Sequence, residues 1–176
     1  MRYNVENIED QLLATLLAQS GLTSGVKLET HAGQVDRQMF FDPAYMQGLA
    51  TMLPFIYLEY AGRYGKPEDH DDSHTDYIHT LRFRFYIGAQ SLLSSKEAAR
   101  SGYSMLRAVY DAIHGKLPYY STAQVEAERL SGTRITTTGF YPCSPMFAGT
   151  GTDEALLVNT PTICIYMSEY QVRLHA

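Results

Sequence analysis

One run of this chain gathers the side chains that bind cations and move protons: Glu68, Asp69, His70, Asp71, Asp72, Ser73, His74, Thr75 and Asp76. Carboxylates and imidazoles are ligands for divalent ions. His70 and His74 lie four apart, a spacing that would put both on one face of a helix. Pro67 precedes the run and strong helix formers are lacking, which argues against a helix there. The plainer reading is a solvated hairpin tip kept soluble by its charge. No metal and no cofactor is assigned to it. His79 falls just beyond, where a hydrogen-bonded sheet histidine is the expectation.

Nucleophilic chemistry has two cysteines to draw on, Cys143 and Cys164. Cys164 sits among Ile163, Ile165 and Tyr166 and reads as a small buried apolar residue. Cys143 lies between Pro142 and Pro145 with no electropositive neighbour in sequence to activate it. The run Gly62, Arg63, Tyr64, Gly65, Lys66, Pro67 imitates fragments of a phosphate-binding loop, but proline stands where Ser or Thr is required. No G-x-S-x-G, H-E-x-x-H or G-x-G-x-x-G motif occurs. No catalytic residue is therefore assigned, and an enzyme is not the expectation.

Arg82, Arg84 and Tyr86 form a different kind of constellation. With Thr80 they share one face of a strand whose other face is Leu81, Phe83, Phe85 and Ile87. Such a row could meet acids of a neighbouring subunit or a nucleic-acid backbone. It could equally be an outer face with cross-strand ion pairs.

Elements must position these groups. Val5, Ile8, Leu12, Leu13, Leu16 and Leu17 recur at helical spacing and predict a first helix, with Gly21 as its stop. Residues 26–31 alternate as a short strand. Asp42-Pro43 opens a turn or short helix carrying Tyr45, Met46, Leu49 and Met52. Residues 55–60 and 78–87 read as strands, joined by a long polar hairpin loop over 61–76. Ser94 and Glu97 make a capping box for a second major helix, with Gly115 just past its end. Its expected buried stripe is Ala99, Tyr103, Leu106, Val109, Tyr110 and Ile113. Residues 133–140 have strand propensity, 142–154 read as a loop, and 162–174 as a long closing strand. Residues 118–160 are the stretch that periodicity orders least. The sum is one α+β domain over 1–176: a single, mainly antiparallel sheet with two principal helices packed on one face. A doubly wound fold lacks the strand-helix-strand units it needs.

Composition agrees. The chain has 176 residues, a one-domain length. Nineteen acidic against fourteen basic residues leave a net charge of −5, which disfavours general nucleic-acid binding. No apolar run is long enough to cross a membrane as a helix, and the first residues carry no apolar signal segment. Reduced cysteines in a cytoplasm are the expectation. Fourteen tyrosines and no tryptophan suit wetted protein interfaces.

The order of elements resembles the small conserved tail proteins of Mu-like phages and prophages, relatives of tail-terminator and minor tail protein U-like proteins. The resemblance is carried by residues 8–16 (IEDQLLATL), 26–33 (VKLETHAG), 53–62 (LPFIYLEYAG), 81–89 (LRFRFYIGA) and 99–106 (ARSGYSML). It implies a tail-terminator-like α+β protomer that closes into a ring, commonly of six. Such a ring caps the tail tube and helps join tail to head. The partners implied are further copies of the chain and the tube, sheath or head-completion proteins, with at most transient contact with DNA through the lumen. The site implied is the bacterial cytoplasm, then the virion tail if the phage is intact. Within that reading Arg82, Arg84, Tyr86 and the loop residues His70, Asp71, Asp72 and His74 are the expected subunit or partner contacts. Two rivals stand beside it: a small metal-dependent enzyme using the 68–76 cluster, and a module that binds a ligand on its sheet surface.

Overall fold

The computed structural model describes residues 5–19, 22, 25–30, 37–64, 78–116, 141–142 and 154–175. Their order is helix α1 (Val5–Leu17), strand β1 (Lys27–Thr30), a 3-10 turn (Arg37–Phe41), α2 (Pro43–Ala50), β2 (Phe55–Tyr64), β3 (Ile78–Gln90), α3 (Ser95–Ile113), β4 (Tyr141–Pro142), β5 (Glu154–Asn159) and β6 (Ile163–His175). Among the described residues all six strands join one sheet, in the order β1-β2-β3-β6, with β4 and β5 both on the far edge of β6. Only β1 runs parallel to its neighbour. This is the α+β architecture that the alternating strands and amphipathic helices predict.

The sheet centre is set by β3 and β6. They pair antiparallel over thirteen residues, from Ile78 opposite His175 to Gln90 opposite Ile163. Strict alternation sends Leu81, Phe83, Phe85, Ile87 and Ala89 to one face, where they are fully buried. There they meet Ile8, Leu12 and Leu16 of α1 and Met105, Leu106 and Val109 of α3. Each such side chain taken from water contributes about 1.5–3 kcal/mol. Both major helices thus lie on one face of the sheet.

Local chemistry sets the helix ends. The Ser94 hydroxyl accepts from the Glu97 amide at 3.3 Å, the capping-box bond. Asp42 does the same for α2, accepting from the Ala44 amide at 2.9 Å, with Pro43 in the first turn. The buried stripe of α3 differs from the expected one. Ala98, Gly102, Met105, Leu106, Ala108, Val109, Ala112 and Ile113 face inward, while Tyr103 and Tyr110 are exposed. The reason is close approach: a Cβ on Gly102 would stand 2.6 Å from the Tyr166 ring. Small residues let the helix sit low on β6, and the tyrosines are rotated outward. On α1, Leu17 is likewise exposed, not part of the stripe.

Two further expectations change. Strand β2 continues to Tyr64, four residues into the segment read as loop, by way of a bulge in which Ala61 is the extra residue and Gly62 resumes the pairing opposite Arg82. Gly62 has φ +115°, which a side chain would resist. Strand β5 was not expected at all. Of the rest of the 61–76 loop, residues 65–76 lie outside the described residues, as does 133–140.

Candidate functional site

The second face of the sheet begins as an apolar cluster and ends as a charged one. Phe55, Tyr57, Tyr86, Ile165 and Met167 pack under Phe40 and Leu49. The Phe40 and Tyr86 ring centroids lie 5.9 Å apart. One row along, Glu59 of β2 stands opposite Arg84 of β3, and Arg84 opposite Glu169 of β6. Direct cross-strand neighbours have Cβ atoms about 5 Å apart, so three ionised side chains are forced together by register alone. Arg82 lies two residues along β3 and is the diagonal neighbour of Glu169.

Each carboxylate is gripped by two groups. Arg84 Nε donates to Glu169 Oε2 at 2.8 Å, and Arg82 Nη1 donates to Glu169 Oε1 at 3.1 Å. The Tyr86 hydroxyl donates to Glu59 Oε2 at 2.7 Å, and Arg84 Nη1 lies 3.7 Å from the same oxygen. The Glu169 side chain is fully buried, while those of Arg82 and Arg84 are 19% and 12% exposed. Two positive and two negative side chains cancel, as burial demands.

This placement bears on the two readings of the arginine row. Arg82, Arg84 and Tyr86 direct donors to acids of their own chain. Within the protomer they form a cross-strand ion-pair row. Tyr86 is 2% exposed and offers no surface to a partner. The physical cause is the pair of acids the sequence reading passed over. Glu59 and Glu169 are single acids within apolar strands, and that oddity was the available signal. Their alignment with Arg84 rests on register between distant segments.

The network's protons are firmly held. Burial raises the pKa of Tyr86, and its hydrogen bond to Glu59 and the charge of Glu59 raise it further. Burial lowers that of Arg84, but the hydrogen bond and charge of Glu169, with help from Tyr86 and Glu59, outweigh it and the net shift is upward. Neither group is poised to exchange a proton near neutral pH. What the arrangement does is fix strand register.

The remaining candidates separate. His70, Asp71, Asp72 and His74 lie outside the described residues, as does Cys143. Among the described residues no cluster of His, Cys, Asp and Glu is arranged to hold a metal. Cys164 is buried as expected, its thiol donating to Asn159 Oδ1 at 3.4 Å and its pKa raised by burial. Sequence reasoning also passed over two exposed leucines. Leu92 and Leu93, in the connection from β3 to α3, are 93% and 88% exposed. Their type gave no warning, because position in a turn, not hydrophobicity, puts them in water. No protein-family model matches the chain, and no curated protein matches it.

Glu169→Gln leaves Arg82 and Arg84 facing a neutral group in a buried position. Loss of about 3–5 kcal/mol in urea unfolding is expected; a change within about 0.5 kcal/mol would contradict the network's role. Tyr86 supplies a pH-dependent test. Its folded pKa is raised above the unfolded value of 10.0. Its contribution is therefore complete below that pH and is lost as pH rises beyond it, because only the unfolded state ionises. The stability advantage of the wild type over Tyr86→Phe should shrink by up to about 1.4 kcal/mol per pH unit above 10. An advantage equal at pH 9 and pH 11, measured by urea unfolding, would contradict this.

Proposed function

We propose that the chain is a structural assembly protein: a ring-forming, tail-terminator-like component of a phage or prophage tail. In this reading the ring has about six subunits, caps the tail tube, and meets the tube, sheath or head-completion proteins. Contact with DNA is at most transient, through the ring lumen. It assembles in the bacterial cytoplasm and ends in the virion tail.

The observation that carries the reading is the pair Leu92–Leu93. Two adjacent leucines are held in water on a connection that is itself ordered. The Ser91 amide donates to the Thr162 carbonyl at 2.9 Å, and the Leu93 amide donates to Ser91 Oγ at 3.2 Å. Burying both would contribute about 3–6 kcal/mol, which the isolated protomer forgoes. Exposed apolar groups held in place are a mark of protein contact. Support also comes from the architecture, one sheet with two helices on one face, which the resemblance to tail proteins leads one to expect.

Light scattering on a sizing column reads the assembly state. One chain is 19.8 kDa, so six give about 119 kDa. A mass near the hexamer is the expected result. A mass of 19.8 kDa at the highest attainable concentration would contradict self-assembly.

A further inference from the structure

We propose that Met52 is a methionine sulfoxide site: hydrogen peroxide oxidises its thioether, and the fold holds the new oxygen with two donors already aimed at the sulfur. Met52 follows α2, and its amide donates to the Leu49 carbonyl at 2.9 Å, so the last turn of that helix fixes its backbone. Its side chain is half-buried against the apolar cluster that holds Phe55, Tyr57 and Tyr86. Two strands reach it there. The Tyr57 hydroxyl of β2 donates to Met52 Sδ at 3.2 Å, and the Lys27 ammonium of β1 donates to the same sulfur at 3.4 Å.

A thioether is a poor partner for either donor, because sulfur accepts hydrogen bonds weakly. Methionine in an apolar cluster ordinarily fills gaps between carbons and ring edges. Lys27 also pairs with Glu29 Oε1 at 3.2 Å, and its side chain is 39% exposed, which leaves the ammonium room to move. Tyr57 is more firmly placed. It is buried, and its ring stacks on Phe55 with centroids 4.3 Å apart. Burial raises its pKa against the opposing charge of Lys27, so the hydroxyl keeps its proton at neutral pH.

The chemistry needs only peroxide. A sulfur lone pair attacks one peroxide oxygen, the S–O bond forms and the O–O bond breaks. The departing hydroxide takes the proton left on the new oxygen and becomes water. Sulfur is oxidised and the peroxide is reduced. In most cores this step is disruptive, since it puts a polar oxygen among apolar side chains. At Met52 the balance is reversed. A sulfoxide oxygen is a strong acceptor, and it forms where a phenol and an ammonium already point. A retreat of roughly half an ångström by each donor gives the ordinary hydrogen-bond length of about 2.9 Å. Two weak contacts become two full hydrogen bonds, one of them charge-assisted. They tie the end of α2 to β1 and β2 together. Met105 and Met167 offer a contrast: they are 4% and 0% exposed inside the two apolar clusters, and no donor to their sulfurs is recorded among the described residues.

Peroxide treatment of the full chain tests this, with peptide mass spectrometry to locate the added oxygen and urea unfolding before and after. Met52→Leu, treated identically, subtracts the effect of oxidation elsewhere. The expected result is a sulfoxide at Met52 with the urea midpoint unchanged or raised. In Lys27→Leu/Tyr57→Phe, which lacks both donors, oxidation of Met52 should lower the midpoint. If that double variant does not fold, Tyr57→Phe alone, whose ring still stacks on Phe55, is read in the same way. Three outcomes would each overturn the proposal. Met52 could stay unmodified under peroxide that oxidises free methionine in the same tube. The midpoint of the parent could fall on oxidation. The response could be the same with and without the donors.

Discussion

A carboxylate that water cannot reach sets the terms for this structure. Glu169 sits on β6 with its side chain fully buried, one strand from the middle of the sheet. An ionised group there is tolerable only if it is neutralised and hydrogen-bonded where it stands. Arg82 and Arg84 meet that demand, and Glu59 then balances the second arginine with Tyr86 as its donor. A one-residue slip of β3 against β6 would send Arg82, Arg84 and Tyr86 to the helix face, away from Glu169 and Glu59, and pull Phe83 and Phe85 out of it. The charged row and the apolar core therefore specify the same register from opposite sides of the sheet.

That consistency has a functional consequence. Arg82, Arg84 and Tyr86, a row of donors in the sequence, are committed to Glu59 and Glu169 inside the fold. Among the described residues several large apolar and aromatic side chains stay outward beside the exposed charges, Leu92, Leu93, Tyr103 and Tyr110 among them. In the proposed tail-terminator-like ring, exposed apolar groups of this kind would be available for contact between subunits.

Local signals were legible in the sequence and long-range ones were not. The alternation in β3 and β6, the Ser94 capping box and the Asp42-Pro43 start of α2 each depend on a few neighbouring residues, and each is found in the structure. The facing of α3 was misplaced because Ala98, Gly102 and Ala112 count little on a hydrophobicity scale yet decide how near the helix can lie to Tyr166. Strand β2 was cut short because Gly62 reads as a turn residue when it follows the bulged Ala61 in a continuing strand. Strand β5 has only six residues, two of them the polar Glu154 and Asn159, and gains its pairing from β6. The pairing of the buried acids with Arg84 was hidden for a similar reason. Glu59, Arg84 and Glu169 are far apart in the chain and become neighbours only through register.

The claim that this chain forms a closed ring is most directly tested by negative-stain electron microscopy of the concentrated protein. Annular particles of uniform diameter with an open centre are the result the account predicts. Solid globular particles, or open filaments at every concentration, would contradict it.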